Sequence, residues 1–543
     1  MPGPPSSALN LAQRADAMQA AQSGVDLLVV GGGINGTGIA LDAAVRGLRV
    51  LLVEREDLAA GTSSRSSKMI HGGLRYLQRL RFGLVREALS ERELLIRLAP
   101  HLVKPTRFLL PLYGPWWETP YMGAGLSLYR LLAGGSGGFE LISAQEARAR
   151  VPSLHPEGLR GAFEYGDAVT DDARLVVGVA RTASSFGAGI VTRAEVTGWV
   201  RADGKVAGAV ITDRITGGSL QVKARMVVDA TGAFEAEQPF LATGGSVTPS
   251  RGTHIVVRRD RIPSRQALTL RVPPRLVFLV PWNEFWIIGT TDVAHQGQID
   301  RPSATLAEVD YLLKTINQTL DCGLAGDDII GTYAGIRPLA GTDEDTSSAS
   351  REEEIEERQP GLLTLRGGKF TTYRKVAEKV VDQAIDELDF KIKCTTGEIP
   401  IVGAASDDEL DKAKEALSGD GLEPVVVEHL VGRYGAEATE LAAIAREPGW
   451  GTPLLPGLSY LRGEVRWAVE KEGALAIDDV LARRMRAAWE DRGHGAGAVD
   501  MVAEVLAPVL GWDENRRLTA VKQYLEMASL EYGSGLVRAA PAA

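Results

Sequence analysis

The chain has 543 residues, 45% hydrophobic and 24% charged, the composition of an ordinary globular protein with length for about three domains. A formal net charge of -10, from 60 basic and 70 acidic residues, excludes a broad nucleic-acid footprint and leaves any anionic small substrate to a local basic pocket. Cys322 and Cys394 are the only cysteines, too few for a disulfide framework or a Cys-rich metal site; a reducing compartment follows, and no metal is expected.

Residues 1–24 lack the basic and apolar regions of a secretory signal and read as a flexible leader. No apolar run reaches the roughly 20 residues that span a bilayer, so membrane contact, if any, is monotopic. Next comes VDLLVVGGGINGTGIALDAAVRGLRVLLVE, Val25 to Glu54, which reads as strand, glycine turn, helix and second strand. Gly31, Gly33 and Gly36 have the G-x-G-x-x-G spacing of a dinucleotide cradle: a tight turn, backbone approach to a pyrophosphate, and close helix–strand packing. The phosphates of such a ligand lie over a helix N-terminus. Glu54 stands where a ribose hydroxyl acceptor belongs, and its carboxylate disfavours NADP; FAD and NAD both remain.

GTSSRSSKMIHGGLRY, Gly61 to Tyr76, offers hydroxyls at Ser63, Ser64, Ser66 and Ser67 beside Lys68, with Gly72 and Gly73 letting Arg75 and Tyr76 approach a flat ligand; the alternative is a solvated loop. Helical spacing predicts a helix over Phe82 to Leu98. Residues 101–132 combine four prolines with Tyr113, Trp116, Trp117, Tyr121 and Tyr129 near Lys104, Arg107 and Arg130, either a packed cap or a patch with aromatics at lipid-headgroup depth. A helix from Arg174 leads into a β-meander and a buried strand, Met226 to Asp229, ending in Ala230, Thr231 and Gly232. Residues 250–292 hold β-rich runs of a separate antiparallel sheet, including GTHIVV, in which His254 opens an apolar strand, and GTTD, Gly289 to Asp292. Arg337, between Gly335 and Pro338 in AGIRPLAG, suits a phosphate or carboxylate through paired hydrogen bonds. The acidic stretch Asp343 to Arg358 reads as a solvated loop. Gly367, Gly368 and Lys369 precede an amphipathic helix whose N-terminus suits the electron-rich edge of a reduced flavin. From Cys394 onward the pattern is helices with charged faces.

SSKMIHGGLRYL, FEYGDAVTDDARLV, GTHIVV, VPWNEFWIIGTTD, YAGIRPL and GGKFTTYRKVAE resemble, in order and spacing, segments of the FAD-dependent glycerol-3-phosphate dehydrogenases, from about Asp26 to Ile385 and more weakly beyond. The resemblance implies an α/β plus α+β fold. Its parts are a discontinuous Rossmann-like FAD domain of the glutathione-reductase/D-amino-acid-oxidase type (25–100, 160–235, 325–393), an antiparallel-sheet substrate cap (101–159, 236–324) and an α-helical C-terminal domain (394–543).

It further implies non-covalent FAD on Gly31, Gly33, Gly36, Glu54, Ser66, Ser67, Lys68, Thr231, Gly232, Gly368 and Thr371. Arg75, Tyr76, His254, Arg337 and Lys369 would gather sn-glycerol 3-phosphate, and His254, Arg337 and Lys369 would serve catalysis. The implied reaction is oxidation to dihydroxyacetone phosphate by hydride transfer from C2 to flavin N5, with His254 the base candidate. Electrons would pass to a membrane quinone from a homodimer held peripherally on the inner face of the cytoplasmic membrane. Other readings of the same residues are a glycerol-3-phosphate oxidase using oxygen, a flavin amine or amino-acid oxidase, and a non-catalytic flavin-binding interaction protein.

Overall fold

All six residues of the strand Val25–Val30 are buried, as a strand covered on both faces requires. In this computed structural model, which describes residues 7–73, 80–134, 138–237, 247–272, 275–295, 299–340, 353–388, 391–419 and 421–533, that strand lies inside the first of two sheets. The order is Glu354–Gln359, Leu362–Arg366, Ser219–Asp229, Val25–Val30, Val50–Val53, Gly189–Val191. The last five run parallel, and the first closes the edge antiparallel. Leu27, Val29 and Leu52 join a core with the helices Ile34–Val45, Asp172–Ser185 and Tyr373–Glu387. Leu28, Val30, Leu51 and Val53 join another, shared with the meander Ala194–Ala202, Lys205–Asp213 and Ser219–Asp229. The alternation of side chains along a strand lets one short run serve both layers.

The second sheet runs Val293–Ala294, Val247–Arg258, Phe285–Gly289, Arg275–Trp282, Ala267–Val272, Val103–Leu112, Gly161–Thr170, Met69–Ile70, with Ile329–Ala340 also on Val247–Arg258 and Glu140–Ser143 also on Gly161–Thr170. It is antiparallel except where Ala267–Val272 meets Val103–Leu112. Ile255, Val257, Trp286 and Ile288 face the helix Leu306–Thr319, while Val256, Phe285 and Ile287 face the C-terminal helices. The sheet is therefore the floor shared by the cap and the C-terminal domain.

Four expectations change. The strands Gly161–Thr170, Ile329–Ala340 and Met69–Ile70, placed by sequence in the FAD domain, belong to the cap sheet; both sheets need the same apolar alternation, and only pairing with distant strands decides membership. The leader contains a helix, Leu11–Ala21, capped by Asn10 and held by buried Arg14 on Asp213, Thr192 O (2.7 Å) and Arg193 O (3.1 Å). Its apolar face is slight, with Ala17, Met18 and Ala21 packed on the core shared with the meander. Within Asp343 to Arg358, residues 343–352 lie outside the described residues, and Glu354–Gln359 is an edge strand with Arg358 paired to Glu235 at 3.0 Å. The run AIDDVLARRMRAAWED is a π-helical turn, Asp479–Arg484, then a short helix, Ala487–Glu490, because Arg483, Arg484 and Arg486 turn inward onto carboxylates of the dinucleotide domain. Phe82–Leu98 is helical as the spacing predicts.

Candidate functional site

The cradle is built by close backbone approach. Gly31 has φ +112°, and a Cβ there would lie 2.7 Å from Ala230 O; a Cβ on Gly36 would lie 1.9 Å from Gly31 O. Gly31 is thus fixed by the end of the strand Ser219–Asp229, and Gly36 by the turn it packs against. Gly33 caps Ile34–Val45 without a side-chain bond, so the helix N-terminus opens onto a cavity of about 270 Å3, with Ser63 Oγ accepting from Ile34 N at 3.0 Å. Glu54 follows Val50–Val53 directly; its carboxylate accepts from Gly32 N at 2.7 Å and Glu56 N at 2.8 Å, while burial pushes it above the ordinary carboxylate range.

Gly31, Gly33, Glu54, Ser66, Thr231, Gly232, Gly368 and Lys369 all line this cavity. Gly36 stands behind it as packing. Asn35 also lines it, with Oδ1 buried and unpartnered among the described residues, an acceptor left for a donor on a ligand. A tight glycine cradle, an open helix N-terminus, a carboxylate at the second strand end and this orphan acceptor fit FAD.

A second cavity of about 280 Å3 adjoins the first through Thr62, Arg65, Ser66, Gly368, Lys369 and Phe370. His254, Arg337, Ser67 and Thr371 line it, so expected ligand and substrate residues from four distant segments meet here. Two motif glycines make the room: a Cβ on Gly252 would lie 2.4 Å from an Arg337 guanidinium nitrogen, and one on Gly289 2.2 Å from His254 Cδ2. Arg337 donates to Thr291 O (3.2 Å) and Thr290 Oγ1 (3.1 Å), with Asp292 at 3.5 Å, which fixes the guanidinium plane. Thr371 Oγ1 accepts from His71 N at 3.2 Å.

His254 is 2% exposed, stacked on Tyr333 at 4.7 Å, with Nε2 2.9 Å from Ser67 Oγ and Nδ1 unpartnered among the described residues. Burial first, then the charges of Lys68 and Arg337, hold its imidazole well below the ordinary value, so it is neutral. Asp167, on the same cavity, is pushed up to about 6 by burial, against Arg92 and the hydroxyl of Tyr129, which donates to it at 2.9 Å.

Three expected residues need comment. Lys68 lies outside both cavities, fully buried, with Nζ 2.8 Å from both Asp172 oxygens and 2.6 Å from Ser64 O; a lysine so enclosed satisfies a buried carboxylate instead of meeting a cofactor. Arg75 and Tyr76 lie outside the described residues. Gly72 is required by Tyr129, whose hydroxyl would be 2.6 Å from a Cβ, so packing already explains it. Sequence reasoning missed Asn35, His71, Arg65 and, from the C-terminal domain, Asp478, Arg483 and Glu531 on the nucleotide cavity. Arg65 pairs with Glu531, 466 residues away, a juxtaposition no local spacing signals. GTTD was singled out, and Thr290 to Asp292 do line the second cavity.

A dinucleotide cradle opening on a second cavity with arginine, lysine and neutral histidine defines an FAD-dependent oxidoreductase. Residues 26–371 match the family model described as FAD dependent oxidoreductase, and residues 394–517 that of the C-terminal domain of alpha-glycerophosphate oxidase. A glycerol-3-phosphate dehydrogenase of Mycobacterium leprae is 44% identical over 523 residues, 94% of this chain and 89% of that one. A mitochondrial one of Arabidopsis thaliana is 36% identical over 548 residues, 92% of this chain and 86% of its own. The solved glycerol-3-phosphate dehydrogenase of Bacillus halodurans, complexed with FAD, superposes with a TM-score of 0.82 at 28% identity, covering 98% of this chain and 100% of that one. The chain belongs to the glycerol-3-phosphate dehydrogenase family of FAD-dependent oxidoreductases, and FAD is its cofactor.

Proposed function

We propose that the protein oxidises the C2 alcohol of sn-glycerol 3-phosphate to dihydroxyacetone phosphate. The observation that carries this reading is the second cavity, where Arg337 and Lys369 stand with His254 beside the nucleotide cavity. Arg337 presents a planar fork to the phosphate, and Lys369 adds a point charge. With Arg75 and Tyr76, they hold the polyol so that C2 faces the cofactor side. FAD, bound without a covalent link, supplies the two-electron acceptor for the hydride from C2. His254, kept neutral by burial, takes the C2 hydroxyl proton as the hydride departs. Gly31, Gly33, Glu54, Ser66, Ser67, Thr231, Gly232, Gly368 and Thr371 shape the cofactor's bed.

The electron acceptor in this reading is a membrane quinone, reached from the inner face of the cytoplasmic membrane by a peripheral homodimer. Its support is the segment around the helix Glu118–Leu132, where Trp116 (70% exposed) and Trp117 (53%) stand at the N-terminal end and Leu131 (75%) next to exposed Arg130 at the C-terminal end; exposed aromatic, apolar and basic groups suit a headgroup layer. No helix among the described residues is long and apolar enough to cross a membrane.

The test is to mix the FAD-loaded protein anaerobically with sn-glycerol 3-phosphate, its enantiomer and glycerol. The yellow colour bleaches with the first alone; bleaching by glycine-like amines instead, or by none of them, overturns the reading. Adding a quinone or oxygen to the bleached sample then identifies the acceptor.

A further inference from the structure

His254 is held by neighbours that are themselves held from the C-terminal domain. One face of its ring stacks on Tyr333 with planes 14° apart, and its Nε2 meets Ser67 Oγ. Both neighbours are tied to the short strap Ser66–Ser67–Lys68. Tyr333 donates its hydroxyl proton to Ser66 O at 2.9 Å, and Lys68 Nζ lies 4.8 Å over the Tyr333 ring. The strap is an uncomfortable backbone: Lys68 has φ +59°, a conformation that an L side chain adopts only when its surroundings compel it.

Asp172 compels it. Its Oδ2 accepts from Ser66 N at 3.0 Å and Ser66 Oγ at 2.7 Å, and both its oxygens accept from Lys68 Nζ at 2.8 Å. This carboxylate is completely buried, so its geometry depends on complete compensation of its charge and lone pairs. Arg486 provides the remaining cation. It is 1% exposed, donates through Nη2 to Asp172 Oδ1 at 2.6 Å and to Asp171, and is fixed in turn by Ala482 O at 3.1 Å. From the same domain, Trp489 packs on Tyr333 at 5.5 Å, so the stacking partner of His254 is supported independently as well.

We infer that Arg486 is a positioning residue for His254: through Asp172 it locks the Ser66–Lys68 strap, and the strap sets the imidazole's place beside the substrate cavity. The inference rests on the reading of His254 as the base. It assigns the C-terminal helices a part in the reaction although Arg486 lines neither cavity. A reacting group displaced by about 1 Å costs up to about a hundredfold in rate while leaving binding groups in place, so the effect belongs in kcat.

The experiment compares the FAD-loaded wild type with Arg486→Met, Arg486→Lys, His254→Asn and the double variant His254→Asn/Arg486→Met. Arg486→Met is expected to keep its flavin and a KM for glycerol 3-phosphate within about twofold while kcat falls about tenfold; Arg486→Lys, which keeps the cation, recovers most of it. In the His254→Asn background, Arg486→Met has no further effect on kcat, the non-additivity of groups acting as a unit.

Unchanged kcat in Arg486→Met, or an equal further loss in the double variant, overturns the inference alone when His254→Asn is itself impaired. So does a loss of flavin and KM in step with kcat, the signature of a merely structural role. Full activity in His254→Asn overturns the base assignment and this inference with it. Should Arg486→Met fail to fold, Tyr333→Phe, which keeps the stacked ring and removes only its tie to Ser66 O, is read by the same criteria.

Discussion

At the residue scale the site depends on a few positions where one atom more or less decides the outcome. Gly36 is the sharpest. A Cβ there meets backbone, Gly31 O, which cannot swing aside as a side chain would. Gly36→Ala is expected to cost about 1–3 kcal/mol and to yield protein depleted of flavin, read from the visible absorbance of the purified protein. In the proposed reaction Arg337 makes the opposite kind of contribution, chemical rather than steric. Arg337→Ala should retain flavin yet lose about 1.5–3 kcal/mol of transition-state binding, seen as a fall in kcat/KM for glycerol 3-phosphate of about ten- to a hundredfold. Normal efficiency in that variant would remove Arg337 from the phosphate site.

These two residues also show what kind of information a sequence carries. The G-x-G-x-x-G spacing announces Gly36 because cradle, strand and helix are contiguous. Arg337 announces only that it is an odd arginine between glycine and proline; its partners Thr290 and Thr291 come from a strand end 47 and 46 residues earlier. Lys68 misleads for the same reason. Lying in a run of serines it looks like a phosphate ligand, and only the approach of Asp172 makes it a buried counter-ion.

At the element scale, the helix Leu11–Ala21 stands out. It is held by Arg14, with a side chain 8% exposed, gripping Asp213 and the turn at Thr192 and Arg193 that joins the parallel sheet to the meander. Arg14→Ala removes one partner of a buried pair and is expected to cost about 3 kcal/mol, seen as a lower urea midpoint with an unchanged slope. A midpoint equal to that of the wild type would make the helix a passive passenger. Helix existence elsewhere was legible because apolar periodicity is local: Phe82–Leu98 follows from it. The π-helical turn Asp479–Arg484 was not, since three arginines in an apparently solvated helix are drawn inward by Asp57, Asp171 and Asp172.

At the scale of the whole molecule, the C-terminal helices and the cap sheet share a core, and buried ion pairs cross to the dinucleotide domain: Arg174 with Glu472 at 2.6 Å, Arg484 with Asp57 at 2.8 Å. His101 lies at this junction. Burial first, then Arg174 and Lys104, pull its imidazole down to about 3. The unfolded chain therefore takes up that proton first as pH falls, and the stability tied to neutral His101 is complete above pH 6.5 and is lost on acidification toward 3. The slope from this one group is about 1.4 kcal/mol per pH unit. Urea unfolding at pH 7.5 and 5 should show a smaller acid loss for His101→Gln than for the wild type; equal losses would refute the linkage.

The sequence by itself determined the dinucleotide cradle, the existence of a parallel and an antiparallel sheet, the helical C-terminal part, and through its motifs the family and FAD. These are properties of contiguous stretches, where glycine spacing and side-chain periodicity act within a few residues. Only the tertiary structure decided which sheet the strands Gly161–Thr170 and Ile329–Ala340 join, that His254 sits buried against Ser67 and Tyr333, and that Asp172 takes Lys68 while Arg486 reaches it from the far end of the chain. The physical reason is the same in each case: a strand edge or a buried charge takes whichever complementary partner the packing of distant segments brings within reach, and no local pattern records that choice.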